Sequence, residues 1–150
     1  MPSRITNDQS FRDAINQLDP QQQRALAGQF VASVAHLSSD PRIVRAIKAA
    51  SDTSLSAQET EDAYKAVKAF ATQTYTACGQ DADWGAQAEH FVAAAAAASL
   101  SSDDPQDAKA VWKTAMQARM AKNCEMIQKD EGGVANEAEN QYKLTEAALT

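Results

Sequence analysis

Trp84-Gly85-Ala86-Gln87-Ala88-Glu89-His90-Phe91-Val92-Ala93-Ala94-Ala95-Ala96-Ala97-Ala98-Ser99-Leu100 is the stretch on which the fold turns. From Phe91 to Ala98 no polar side chain falls on any face of a helical wheel. A surface helix shows one apolar stripe, whereas a helix apolar all round must be covered on most sides. Alanine combines the best helix propensity with a small side chain, so neighbours can approach closely. Residues 82–99 are therefore expected to form a buried central helix packed by others.

Working outward, the punctuation divides the rest of the chain into helices. Asp19-Pro20, Asp40-Pro41 and Asp104-Pro105 each set an N-cap residue before a proline suited to the first helical position. Ser56-Ala57-Gln58-Glu59 reads as a capping box, serine and glutamate each satisfying a free backbone donor of the other. Cys78-Gly79 offers a helix stop, and Asp81 or Asp83 a cap for the central helix. Gly132-Gly133 breaks the chain before its last segment.

Between these marks, apolar residues recur at helical spacing. Residues 8–18 align Phe11, Ile15 and Leu18; residues 20–38 align Leu26, Phe30, Val34 and Leu37. Residues 41–51 place Ile43, Ile47 and Ala50 together, and 57–78 align Ala63, Val67, Phe70, Thr74 and Cys78. Residues 105–130 align Trp112, Met116, Met120 and Ile127, and 134–149 align Val134, Ala138, Tyr142 and Leu149. No segment alternates with period two. The expected fold is all-α: one domain over residues 1–150, a bundle of about seven helices around 82–99, with residues 1–7 as a flexible lead.

The 150 residues suffice to bury roughly two-thirds of the extended chain's surface in one core. A formal charge of −6 argues against nucleic-acid binding, which calls for a basic face, and suits a basic protein partner. The amino terminus lacks the apolar run of a secretory signal, and 91–98 is too short to span a bilayer. No membrane association and a cytoplasmic location are expected.

Candidate chemistry is sparse. His36 and His90 have no companion ligand three or four residues away, and no HExxH, CxxC, phosphate loop or nucleophile elbow occurs, so neither metal nor cofactor is expected. A ligand pocket near His90, Tyr64 and Trp112 is the one enzymatic or small-molecule arrangement that can be drawn. Cys78 and Cys124 are the only pair able to form a disulfide; without a signal sequence both are expected to stay reduced and buried. Acidic residues gather at Glu59, Glu61 and Asp62, at Asp81 and Asp83, and at Asp103, Asp104 and Asp107, all at helix starts, where the helix dipole favours negative charge. Capping uses only part of each cluster. Glu61, Asp62, Asp103 and Asp107 are left as the candidate partner-binding residues, on loops that share one end of the bundle if helices 57–78 and 105–130 run parallel.

Asp40-Pro41-Arg42 leads into Arg45-Ala46-Ile47-Lys48-Ala49-Ala50, then a capped helix, an aspartate-rich turn, a long alanine run and a further alanine-rich helix. Over residues 23–122 this order resembles the alanine-rich, all-helical immunity proteins of bacterial polymorphic toxin systems. The sequence departs from that pattern around Ser51-Asp52, where a tryptophan would follow the first alanine-rich helix. The resemblance implies a small bacterial cytoplasmic protein that binds and blocks a toxin without catalysis, and it carries over no functional residues. The expected function is accordingly a non-enzymatic protein-binding domain, with a homodimeric structural or adaptor module as the alternative.

Overall fold

The computed structural model describes residues 5–77, 84–101, 109–128 and 137–149. They form α1 (Asp8–Asn16), α2 (Pro20–Ala32), a 3-10 turn (Ala35–Leu37), α3 (Pro41–Ser51), α4 (Ala57–Ala77), α5 (Trp84–Ser99), α6 (Lys109–Gln128) and α7 (Glu137–Ala148). Among the described residues there is no strand. No described helix is long and apolar enough to cross a membrane.

The helix starts follow from local chemistry. Asp19 accepts from the Gln22 backbone while Gln22 returns a bond to the Asp19 N–H, with Pro20 in the first turn. Asp40 accepts from the Arg42 N–H ahead of α3. Ser56 and Glu59 form the expected reciprocal pair at the start of α4. The stops and caps expected at Cys78-Gly79, Asp81, Asp83, Asp104-Pro105 and Gly132-Gly133 lie outside the described residues.

The alanine-rich helix is central. α5 packs on α2, α3, α4, α6 and the 3-10 turn, most extensively on α6. Ala88, Val92, Ala93, Ala95, Ala96 and Ser99 are buried along it. One core gathers α5 with Val31, Val34, Ile43, Ala46, Val67 and Phe70. A second lies where α1 and α7 close over α2 and α6, built from Phe11, Ile15, Leu26, Phe30 and Val111. Gly28 allows α2 to press on α3: a Cβ there would meet the Ala50 Cβ at 3.0 Å.

Four expectations are corrected. The helix expected over 20–38 stops at Ala32, where Ser33 turns its hydroxyl back to the Gln29 carbonyl, a bond that bends helices. Val34 then drops into the core, and the chain re-forms as the 3-10 turn. The stripe expected on α6 is not its buried face: Met120 and Ile127 are 44% and 52% exposed. The inward face is Val111, Thr114, Ala115, Ala118, Ala121 and Cys124, because small side chains let α6 lie close against the alanines of α5. On α7 the buried residues are Gln141 and Thr145, with Tyr142 at the edge. Burial is tolerated there because Gln141 donates to the Ala115 carbonyl at 2.9 Å and accepts from Arg119. Finally, part of the flexible lead is packed: Ile5 is buried, its N–H 2.6 Å from Glu146 Oε2, and Asn7 caps α1.

Candidate functional site

The helices alternate in direction, so the starts of α2, α4 and α6 meet the ends of α3 and α5 at one end of the bundle. A cleft of about 870 Å³ opens there. Its apolar lining includes Ala27, Ala49, Ala50, Leu55, Leu100 and Val111, and its polar lining includes Arg24, Asp52, Thr53, Thr60 and Glu61. Concave sites that bring apolar and polar groups together are where proteins take ligands and partner side chains.

The charges around the cleft are set by their neighbours. Asp52 accepts from the Ser54 hydroxyl at 2.5 Å and from its backbone N–H at 2.9 Å, and these bonds hold its carboxyl below the usual range. Glu61 is half exposed and only 4.0 Å from Lys65, a loose pair on the open surface. Asp62, one residue on, is exposed and accepts from Gln58. Of the four residues expected to meet a partner, Glu61 lines the cleft, and Asp62, the next residue of α4, is exposed but is not one of its lining residues. Asp103 and Asp107 lie outside the described residues.

The structure does not bring His90, Tyr64 and Trp112 together. Trp112 belongs to the second core, its ring 5.9 Å from Phe11 and covered by the Arg12 guanidinium at 4.4 Å. Tyr64 packs against the first core, under Lys68. His90 lies beside Thr74, with Nδ1 3.0 Å from the threonine hydroxyl, and between the rings of Tyr75 and Phe91. Burial lowers its pKa, favouring the neutral ring. None of the three lines the cleft. Cys124 is buried on α6, and Cys78 lies outside the described residues.

A second polar assembly escaped the sequence because its members are far apart in the chain. The Glu125 side chain is 3% exposed and receives His36 Nε2 at 2.6 Å and Lys122 Nζ at 2.7 Å. Nearby, Asn140 donates to both Glu137 and Ser33. Arg119 grips Asp8 through two nitrogens, and the Tyr142 hydroxyl donates to the same carboxylate. The Arg119 fork holds the Asp8 carboxyl below its ordinary range. Among the described residues no hydroxyl or thiol is bonded to His36. Nor, among them, do three metal-binding side chains converge. This assembly ties the 3-10 turn, α1 and α7 to α6.

Glu137 is the strained member. Burial pushes its pKa up, against the pull of the Asn140 bond and the charges of Lys122, Arg119 and His36. A carboxyl whose folded pKa exceeds its unfolded one costs stability above the folded value, and the cost vanishes below the unfolded value. Glu137→Gln, which keeps an acceptor for Asn140, is expected to raise the melting temperature at neutral pH and to match the parent in acid. Melts across that range check it; a variant less stable than the parent at neutral pH contradicts it.

Comparison with family models, curated proteins and solved structures found no match to this chain.

Proposed function

We propose that the chain is a non-enzymatic protein-binding domain that takes a basic partner at the cleft end of its bundle, in the manner of an immunity-type inhibitor. The observation that carries this reading is the pair of acidic side chains, Asp52 and Glu61, at a cleft that also presents Ala27, Ala49, Ala50, Leu55, Leu100 and Val111. Such a surface attracts a cationic protein over distance and then offers contact area to hold it. The formal charge of −6 adds to that field.

The test is the association rate, at two ionic strengths, with a basic partner recovered by affinity capture on the intact chain. Glu61→Gln with Asp62→Asn is expected to leave stability within about 1 kcal/mol, since exposed charges contribute little to folding. At low salt it should slow association by about two- to fivefold and flatten the salt dependence, because steering arises from the summed field. An unchanged rate rejects the acidic edge as the binding surface. A doubling of mass with concentration, in the absence of any partner, favours the homodimeric module instead.

A further inference from the structure

The last helix is seated differently from the other described α-helices. Each of α1 to α6 sinks at least one apolar side chain into a core: Phe11, Leu26, Ile43, Val67, Val92 and Ala115 in turn. On α7 the buried side chains are Gln141 and Thr145, both polar. The apolar residues of this last segment, Tyr142, Leu144, Ala148 and Leu149, reach the second core with only part of their surface.

Hydrogen bonds carry the rest of the attachment. Gln141 bridges to α6, donating Nε2 to the Ala115 carbonyl and accepting from Arg119 Nε, each at 2.9 Å. Tyr142 donates to Asp8 of α1, Asn140 donates to Ser33 after α2, and Glu146 accepts from the Ile5 N–H. Thr145 turns its hydroxyl to the Gln141 carbonyl within its own helix. The two kinds of attachment differ when a helix lifts away. Water takes over from a lost hydrogen-bond partner, so the net cost is small, whereas bared apolar surface has no such substitute. The layer beneath also keeps its own hold. Phe11 retains Phe30 and Trp112, Ala14 and Ile15 stay buried, and Arg119 retains its fork on Asp8.

We propose that α7 is a releasable strap: in a minor open form it leaves the bundle as a unit while α1 to α6 stay folded. Release uncovers the side of the Phe11 ring where Tyr142 now lies, 5.2 Å away. An apolar surface on α1, α2 and α6 is then presented in the open form alone. Elements that move in this way come from the least firmly held part of a fold.

Native-state hydrogen exchange of the full-length chain tests this, in low urea and where reclosing outpaces chemical exchange. The amides of 141–148 are expected to share one opening equilibrium with a shallow urea slope. They should exchange at least about tenfold faster, corrected for intrinsic rates, than those of Val92 and Ala96 on α5. Val67→Ala separates the strap from global unfolding. Val67 belongs to the first core, so its loss destabilises the closed and open forms alike. It should speed exchange on α5 by about tenfold and leave α7 at the parent rate. Should that variant not fold, Ile43→Val in the same core makes the comparison with an acceleration of about two- to tenfold. Equal protection of α5 and α7 in the parent, or equal acceleration of both in the variant, overturns the strap. Protection that falls steadily from 141 to 148 shows fraying from the chain end and overturns release as a unit.

Discussion

Phe11→Ala is expected to lower stability by about 3–5 kcal/mol, the range for truncating a fully buried aromatic residue. Phe11 is completely buried, and its ring meets Phe30 at 6.0 Å, Trp112 at 5.9 Å and Tyr142 at 5.2 Å. These four rings come from α1, α2, α6 and α7, so a single side chain fastens the outer layer to the rest of the bundle. Each tilted pair adds to the area buried, and the Arg119 guanidinium lies 5.5 Å from the ring centre. Rigid helices on four sides leave the cavity little chance to collapse. Phe11→Leu, which fills most of the space, should cost less than half as much. Urea unfolding of the three proteins measures this. A loss below about 1 kcal/mol for Phe11→Ala would mean that α1 and α7 are not packed as described.

Glu125→Ala should be the next most damaging substitution, at about 3 kcal/mol. The carboxylate is buried and is the common acceptor of His36 and Lys122. Removing one member of a buried pair leaves the other charge without compensation, which costs more than the pair itself contributes. The figure sits at the low end of that range because the His36 side chain is 52% exposed and Lys122 is 21% exposed, so both can turn towards water. For the same reason His36→Ala should cost only about 1 kcal/mol: Glu125 keeps Lys122. Equal losses in the two variants would contradict the view that Glu125, rather than the histidine, is the centre of this assembly.

The alanine run announced its own burial, since nothing along 91–98 prefers water, and cap residues such as Asp19, Asp40 and Ser56 acted within one turn of where they stand. The face of α6 was harder to read. Its large side chains suggested one stripe, but alanines facing alanines gain more close contact, and only the packing of α5 on α6 decides between them. The break after Ala32 carries no proline or glycine to mark it. His36 and Glu125 are far apart in sequence, so no local spacing encodes their bond. Arg24 follows three glutamines and reads as one more exposed polar residue. Its position in a cleft depends on which helix ends converge, a property of the whole topology. Glu61 and Asp62 were legible as surplus acids at a helix start, whereas the pocket around His90, Tyr64 and Trp112 joined residues that the packing separates.

Hydrogen–deuterium exchange of the full-length chain, with and without the captured basic partner, tests the cleft reading most directly. Binding should slow exchange in 52–55, in the first turns of α4 and in α2 around Arg24, and leave the exposed Met120 and Ile127 face of α6 unchanged. Protection confined to that α6 face, with the cleft residues exchanging at their free rates, would contradict it.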